Sequence, residues 1–457
     1  MSCSTETLNE AKIEGKKVIP IATQQQPKPN SWAPSLQAIK HVSPEQFREH
    51  AAKRKIYIYS VNLEGIGFLK LFRRLGYEVG GFIDSRSYTN NQKRGAPVIH
   101  PDRFFAELAG DALVVITAKH RQTKRHAIEQ CEAAGLVKRE TFYITTDLCD
   151  LFPTIEVAGL CNLKCISCNM GIPGVNKAGG LMTAENYRKV VQKMQAEIPF
   201  MNSIYLYLWG EPLINPEIAE ILKINAELGV ACEVSTNLND ARHLENVILA
   251  EPEVLVVPCA GVGEKYEVAR TGGKWDVFKK HLYLLRELLD KHNSETVVRI
   301  HYHMYRDNLE EDFDEVEALA KELNFMFLPI LAQIFPEYVL RQEMFGETLP
   351  EEMQRADKLL YFPIADQLAY AKQNTSRNCF MMKVFPVVRW DTAVVHCSNL
   401  TFPTLAKSYL DVSLDDLLKE RYDNEFCVKC MDHSMHRFFD VAASIQMVDG
   451  KRTIVRD

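Results

Sequence analysis

Alternating apolar segments predict a small α/β unit near the start of the chain. The stretch "KRKIYIYSVNLEGIGFLKLFRRLGYEVGGFIDS" predicts a strand over residues 56–59, an amphipathic helix to about residue 75 and a second strand ending at Asp84. The run "DALVVITA" at residues 111–118 predicts another buried strand, followed by a helix through "RHAIEQCEAAG". This βαβ order is typical of a Rossmann-like domain, which we assign to residues 51–150.

A second series of strands and helices occupies the middle of the chain. Helical periodicity is present in "NPEIAEILKINAELG", "WDVFKKHLYLLRELLDKH" and "LEEDFDEVEALAKELN". The strands predicted here are residues 154–157, 203–209, 232–235, 254–258, 297–303 and 325–330. Six βα repeats predict an open or closed parallel barrel over residues 151–335, with its site at the carboxyl ends of the strands.

The two ends of the chain have different compositions. Residues 1–50 include "IATQQQPKPNSWAPS", whose Gln, Pro and Ser content predicts a flexible tail or linker. Residues 336–457 read as a helical connector followed by a second cysteine-rich domain. The predicted fold class is therefore α/β, with a Rossmann-like domain before the barrel and a cysteine-rich domain after it.

Charge and composition narrow the class of partner. The 457 residues include 54 basic and 60 acidic side chains, and a net charge of −6 does not favour nucleic acid or an anionic membrane as partner. The N-terminus lacks the apolar core of a signal peptide, and no apolar run approaches the roughly 20 residues that span a bilayer. We therefore expect a cytoplasmic protein with a small-molecule substrate. Its twelve cysteines then favour metal ligands or catalytic thiols over disulfides.

The first strand and helix lack most of the glycines of a dinucleotide site. Ser60 and Asn62 stand where the first two glycines are needed, and only Gly65 fits the third. Side chains there block the close approach of backbone to a pyrophosphate. The sequence therefore favours a degenerate Rossmann-like domain used for docking or substrate presentation. Asp84, at the end of the second strand, keeps a nucleotide-linked sugar as an alternative ligand.

Three cysteines stand close together just after the first predicted barrel strand. Cys161, Cys165 and Cys168 lie within "GLCNLKCISCNMG". Three thiolates from one loop can hold three irons of a cubane 4Fe-4S cluster and leave the fourth iron open to a ligand. A zinc ion completed by a distant residue is the alternative, although zinc motifs usually comprise two separated pairs.

The segment "CNLKCISC" resembles the CxxxCxxC motif of the radical S-adenosylmethionine (AdoMet) superfamily, where the motif follows the first strand of a partial (β/α)6 TIM-like barrel. The resemblance implies this form of barrel for residues 151–335. The resemblance implies that the amino and carboxylate groups of AdoMet chelate the open iron. It further implies that an electron from the cluster cleaves the sulfonium to methionine and a 5′-deoxyadenosyl radical, which removes a hydrogen atom from the substrate. An electron donor such as flavodoxin or ferredoxin is implied as partner.

Other positions match the same superfamily with two departures. The end of the second strand reads "YLWGEP", so Trp209, Gly210 and Glu211 replace a Gly-Gly-Glu that binds the methionyl ammonium in the family. Glu211 can still accept from an ammonium, and Gly210 still permits close approach. Ser167 stands where the family often has an aromatic residue near the adenine. The residues implied to contact the ribose and carboxylate of AdoMet are Ser235, Thr236 and Asn237.

A second cysteine group lies near the C-terminus. Its members are Cys379, Cys397, Cys427 and Cys430, in "NCFMMKVFPVVRWDTAVVHCSN" and "NEFCVKC". The first two could bracket a hairpin, and the set has the right count for a zinc site. Beside the radical AdoMet motif, the spacing resembles the twitch extension, a shorter relative of the SPASM domain. That resemblance implies a second, fully ligated auxiliary 4Fe-4S cluster.

Four further residues are candidates for binding the substrate or reacting with it. Cys259 ends the fourth predicted strand and could be a functional thiol, although a lone cysteine is more often a small buried hydrophobe. Arg270 could hold a hydroxylated or phosphorylated substrate, or pair with a surface acid. His301 and His303 share one face of the fifth strand, where either could act as a base or be a hydrogen-bonded core histidine.

These observations lead to ranked hypotheses for function. The first is a radical AdoMet oxidoreductase that abstracts hydrogen from a sugar, nucleotide sugar or cyclitol and oxidises an alcohol to a ketone. In the close alternative, an epimerase, Cys259 would return a hydrogen atom to the opposite face. A peptide-modifying maturase, a non-enzymatic iron-sulfur carrier and cobalamin binding by the N-terminal domain are the further alternatives.

Overall fold

The computed structural model describes residues 41–108, 110–173, 175, 179–374, 379, 381, 385–400, 404–438 and 443–456. Most of the predicted N-terminal tail, with Cys3, lies outside the described residues. Its last part is helical, because Pro44–Ala51 forms α1 with Ser43 as its N-cap. Phe47 on this helix is fully buried and stacks on Phe72 with ring centroids 5.3 Å apart. The predicted tail therefore ends before residue 44.

The N-terminal sheet has six strands in the order β3-β4-β2-β1-β5-β6, all parallel except for the β3–β4 pair. Its strands are β1 (Lys55–Tyr59), β2 (Val79–Ile83), β3 (Gln92–Lys93), β4 (Ala96–Ile99), β5 (Ala112–Ile116) and β6 (Phe142–Ile144). Its further helices are α2 (Leu63–Arg74), α3 (Pro101–Ala106), α4 (Arg121–Ala133) and α5 (Thr145–Leu148). The strand order reverses between β1 and β5, which makes their carboxyl ends the topological switch point.

The second sheet has five parallel strands in the order β11-β10-β9-β8-β7. The strands are β7 (Ser203–Leu206), β8 (Ala231–Ser235), β9 (Val254–Cys259), β10 (Val297–Met304) and β11 (Met326–Leu331). The helices around them are α6 (Ala184–Glu197), α7 (Ile218–Leu228), α8 (Leu244–Leu249), α9 (Gly263–Ala269), α10 (Trp275–Lys291) and α11 (Glu311–Glu322). This alternation confirms the predicted α/β fold with a partial barrel.

The first predicted barrel strand is present only as two isolated bridges. Thr154 pairs in parallel with Tyr205 of β7, and Ile155 pairs with Val388. The Glu156 N–H donates to the carbonyl of Val388 at 2.8 Å, so this segment lies between the barrel sheet and a C-terminal strand. The predicted second strand also ends earlier than expected, at Leu206. The residues from the end of β7 to Trp209 therefore belong to a loop at the carboxyl end of the strand.

The C-terminal part begins with three helices, α12 (Pro336–Phe345), α13 (Glu351–Leu359) and α14 (Ile364–Gln373). A small antiparallel sheet follows, made of β12 (Val387–Val388), β13 (Val394–Val395) and β14 (Thr404–Ala406). The last elements are α15 (Leu414–Asp423), α16 (Glu425–Asp432) and the hairpin of β15 (Ala443–Val448) and β16 (Lys451–Arg456). Through Val388 and Ile155, the small sheet joins the edge of the barrel.

Helix α2 connects the two large sheets. It packs on β1 and β2 of the N-terminal sheet and also contacts β7 and β8 of the barrel. A Cβ at Gly67 would overlap the backbone of Asn202, so this glycine permits the close approach. Buried residues of both sheets consequently form one continuous apolar core. Among the helices described, none has the length and apolar character needed to cross a membrane.

Candidate active site

The three clustered cysteines line one cavity of about 320 Å³ at the carboxyl ends of the barrel strands. Their loop is tied to the segment after α9, because the Lys164 N–H donates to the Thr271 carbonyl at 2.8 Å and the Ile166 N–H to the Ala269 carbonyl at 3.3 Å. The predicted site residues that share this cavity are Cys161, Cys165, Cys168, Trp209, Gly210, Glu211, Ser235, Asn237, Arg270 and His303. Residues from four separate strand ends therefore meet at one place.

Donors already point at two of the cysteine sulfurs. The Leu163 N–H donates to Cys161 Sγ at 3.4 Å, and Arg270 Nη1 donates to Cys165 Sγ at 3.8 Å. Burial raises the pKa of the Cys168 thiol to about 12. A thiolate here therefore needs a bound metal to replace its proton. This donor set fits an iron-sulfur cluster, since hydrogen bonds to thiolate sulfur are typical of such sites.

No three His, Cys, Asp or Glu side chains within the described ranges converge on a point where one metal ion could sit. A cubane cluster does not require such convergence, because each thiolate binds a different iron at its own corner. All three cysteines line the same cavity, as such an arrangement requires.

Glu211 is a buried carboxylate without a cationic partner among the described residues. Only 3% of its surface is exposed. Its Oε1 accepts from the Leu213 N–H at 3.0 Å, and its Oε2 accepts from the Asn237 N–H at 2.6 Å. Burial raises the pKa of this carboxyl to about 7 despite these two hydrogen bonds. A ligand cation beside Glu211 would supply the missing counter-charge.

Gly210 brings the loop before Glu211 against the first barrel segment. A Cβ at this position would overlap the Ala158 carbonyl oxygen and lie 2.8 Å from the Leu160 carbonyl oxygen. The Glu211 N–H donates to that same Leu160 carbonyl at 2.8 Å. Glycine is therefore required for Glu211 to sit next to the cysteine loop.

The end of β8 contributes two of its three predicted residues to the cavity. Asn237 Nδ2 donates to Asn162 Oδ1 at 2.8 Å and to Cys161 Sγ at 3.7 Å, which links it to the cysteine loop. Ser235 lines the cavity as well. Thr236 has a different position: it is buried, is absent from the cavity wall and accepts the Leu238 N–H at 3.0 Å.

The four candidate substrate residues have separate positions. Arg270 and His303 line the cavity, and Arg270 Nη2 is buried without a hydrogen-bond partner among the described residues. Burial lowers the pKa of His303, and more weakly so does the nearby Arg270 charge. His301 does not line the cavity, and its Nε2 is also buried and unpartnered within the described chain. Cys259 is fully buried, and its Sγ donates to the Gly261 carbonyl at 3.4 Å.

The second cysteine group lines a cavity of its own. Its walls include Cys379, Cys397, Cys427 and Cys430, and the last two lie one turn apart on α16. His396 also lines this cavity, is fully buried, and has no hydrogen-bond partner for either ring nitrogen among the described residues. Buried polar groups almost always have a partner. The sulfurs of a cluster held by these cysteines would accept from His396, so the residues fit an auxiliary cluster.

Comparisons with known proteins gave matches among solved structures only. No protein-family model and no curated protein matches the chain. BtrN in complex with AdoMet and 2-DOIA is 13% identical, over 62% of this chain and 87% of that chain, with a TM-score of 0.32. The enzyme anSMEcpe with bound AdoMet is 17% identical, over 60% and 82% of the two chains, with a TM-score of 0.40.

A third match is SuiB of Streptococcus suis bound to S-adenosylmethionine. It is 14% identical, over 67% of this chain and 71% of that chain, with a TM-score of 0.41. S-adenosylmethionine is bound in all three of these structures.

Sequence reasoning missed one wall of the cavity that the three clustered cysteines line, here named the cofactor cavity after its predicted ligand. Gln333, Ile334 and Phe335 follow β11 and line the cavity beside the cysteine loop. Phe335 packs edge-on against Trp209 with ring centroids 5.1 Å apart, and its N–H donates to the Ser167 carbonyl at 2.7 Å. The missed signal was their position directly after a predicted barrel strand. An aromatic ring is thus present beside Ser167, although the sequence has none at that position.

Proposed function

We propose that this chain is a radical AdoMet oxidoreductase with one auxiliary cluster. The observation that carries the proposal is the shared cavity in which three cysteines of a CxxxCxxC motif face a buried carboxylate that lacks a counter-charge. When bound, the first cluster and AdoMet supply a hydrogen-abstracting 5′-deoxyadenosyl radical, and the auxiliary cluster supplies an electron acceptor. Cys161, Cys165 and Cys168 would hold the first cluster.

The chain's own residues orient AdoMet around Glu211. The carboxylate takes the methionyl ammonium as its missing partner, and the glycine before it lets the backbone approach. Ser235 and Asn237 offer a hydroxyl and an amide to the ribose and carboxylate from the end of β8. Thr236 supports this loop from inside by accepting the Leu238 N–H. Trp209 forms the apolar side of the cavity with Phe335.

The reaction that we propose is oxidation of an alcohol carbon on a small polyhydroxylated molecule, such as a sugar, a nucleotide sugar or a cyclitol. After loss of a hydrogen atom, the substrate must lose one proton and one electron to become a ketone. His303 lines the cavity and is the candidate proton acceptor; burial and the Arg270 charge lower its pKa, so the imidazole is neutral before the transfer and is a weaker base than an exposed histidine. The unpartnered Arg270 Nη2 can hold a substrate oxygen.

The position of Cys259 supports oxidation over epimerisation. An epimerase needs a hydrogen-atom donor in the cavity, on the face opposite the one that loses hydrogen. The Cys259 thiol instead is fully buried, donates to Gly261 and belongs to the apolar core. Epimerisation of the same substrate class remains the alternative reaction, and the products distinguish the two.

The deciding experiment is anaerobic reconstitution followed by reduction with dithionite in the presence of AdoMet. We expect about eight irons per chain and formation of 5′-deoxyadenosine. Replacing Cys161, Cys165 and Cys168 together with alanine should leave about half of the iron and abolish AdoMet cleavage. The matched control is Cys131→Ala, which replaces a buried cysteine of α4 and should retain the full iron content and AdoMet cleavage. Full iron content in the triple variant would refute the cluster assignment.

A further inference from the structure

A larger cavity adjoins the cofactor cavity and is here named the junction cavity. Its volume is about 730 Å³, and Tyr207, Leu208 and Trp209 line both cavities. Lys119 reaches it from the residues after β5, and Ser398 reaches it from beside Cys397. The N-terminal sheet, the barrel and the cysteine-rich part therefore all meet here. The segment from Tyr207 to Trp209 is the wall that the two cavities share.

The junction cavity has an excess of positive charge. Two lysines and one carboxylate line it. Lys119 is neutralised, because its Nζ pairs with Glu64 at 3.0 Å and donates to the Tyr205 hydroxyl at 3.2 Å. Lys124 of α4 is half-buried and has no carboxylate partner among the described residues. An anionic group is the ligand that would neutralise the Lys124 ammonium.

The switch point of the N-terminal sheet offers no comparable charge. A cavity of about 980 Å³ lies there, but its two arginines each have a carboxylate partner. Arg86 pairs with Asp84 at 2.8 Å, and Arg125 pairs with Glu129 at 2.8 Å. Since Asp102 also lines this cavity, carboxylates outnumber arginines. A phosphate is therefore disfavoured at the usual dinucleotide position.

The backbone donors of the dinucleotide turn are also occupied. Asp84 Oδ2 accepts the Val61 N–H at 2.8 Å, and Asn62 Oδ1 accepts the Gly65 N–H at 2.9 Å. A pyrophosphate would have to displace both side chains to reach these amides. This explains in physical terms why the degenerate fingerprint is unsuited to dinucleotide binding, and it leaves the junction cavity as the better anion site.

Flat apolar walls complete the junction cavity. Phe152, Tyr205, Tyr207 and Trp209 present aromatic rings to it. The Lys119 ammonium lies 5.7 Å from the ring centre of Phe152 and 5.9 Å from that of Tyr205. Aromatic side chains bind planar rings by stacking, and lysine binds phosphate as a point charge. Both features together are what a nucleoside phosphate requires.

We propose that the junction cavity binds the nucleoside phosphate part of a nucleotide-linked substrate, with Lys124 at the phosphate and the attached sugar directed past Trp209. This proposal rests on the proposed function, because it assigns one member of the substrate class to the same reaction. The volume of the junction cavity lies within the usual range of roughly 300–1,000 Å³ for small-molecule sites.

Calorimetric titration of the anaerobically reconstituted protein with UDP, ADP, GDP and CDP tests the proposal. We expect at least one to bind, and Lys124→Met to weaken that binding about tenfold or more. The matched control is Lys138→Met, an exposed lysine of the same domain, which should bind as the unaltered protein does. Inorganic phosphate should bind far more weakly than the nucleotide.

Three outcomes would overturn the junction-cavity proposal: binding by none of the four nucleotides, equal affinity in Lys124→Met, or a loss caused by Arg125→Met instead. The last result would place the nucleotide at the switch point. Failure of the proposed function is measured separately, as absence of 5′-deoxyadenosine from the unaltered protein. A nucleotide site that depends on Lys124 would stand even then.

Discussion

Gly210→Ala is expected to disable AdoMet cleavage without removing a single polar group. The added Cβ would lie 2.6 Å from the Ala158 carbonyl carbon and 2.8 Å from the Leu160 carbonyl oxygen, whereas ordinary contacts begin at 3.4 Å. Both neighbours are backbone atoms of the segment that leads into Cys161, so neither can rotate away. The loop that carries Glu211 must therefore retreat.

The distances give the size of the effect. The Ala158 carbonyl carbon alone requires a shift of about 0.8 Å to restore an ordinary contact, and the Ala158 carbonyl oxygen, which the added Cβ would overlap, requires a larger one. Misplacement by about 1 Å can cost about a hundredfold in rate, so we expect a loss of at least that order in 5′-deoxyadenosine formation. Overpacking of this kind should also lower the stability of the fold by about 1–3 kcal/mol.

The assay is anaerobic incubation with AdoMet and dithionite, with 5′-deoxyadenosine measured by mass spectrometry and AdoMet affinity by equilibrium dialysis. Gly110→Ala is the control, because a Cβ there meets no atom within 4 Å and the position is exposed. Circular dichroism during heating checks that Gly210→Ala is folded. A folded Gly210→Ala protein that binds and cleaves AdoMet within twofold of the unaltered protein would refute the close-approach argument.

Four other predictions concern the remaining groups. Since burial raises the Glu211 pKa to about 7, its carboxylate is lost as the pH falls through that value; AdoMet dialysis should show weaker binding from about pH 8 to about pH 6, and Glu211→Gln should remove that part of the dependence. Replacing Cys427 and Cys430 with alanine should halve the iron content but spare 5′-deoxyadenosine formation. Zinc instead of iron bound by these cysteines in the unaltered protein would support a zinc site. Cys259→Ala should form the same oxidised product as the unaltered protein. In deuterated water, an epimerase would form a product with inverted configuration and deuterium at the reacting carbon. If the unaltered protein forms that product and Cys259→Ala alone loses it, this thiol is the hydrogen donor. In a redox titration followed by electron paramagnetic resonance, His396→Leu should shift the auxiliary midpoint to a more negative value, because a hydrogen bond to a reduced cluster is lost; an unchanged midpoint would contradict this.

Local sequence patterns determined the barrel strands and the cysteine loop. The five barrel strands from β7 to β11 lie within a few residues of their predicted positions, because buried parallel strands are short apolar runs between helical repeats. The motif at Cys161 was readable because its three cysteines lie on one short loop. The first barrel segment was less predictable, since its pairing with Val388 depends on a strand more than 200 residues away.

Contacts between distant segments decided which side chains meet around the cavities. The sequence alone could not show that Phe335 lies beside Ser167, that Arg270 reaches Cys165, or that the Cys259 thiol is inside the core. Such facts depend on strand register and on how far each loop extends beyond its strand, and neither leaves a local signal. The charge of the junction cavity is likewise a tertiary property: Glu64 neutralises Lys119 across 55 positions of sequence and leaves Lys124 as the uncompensated cation among the described residues that line it.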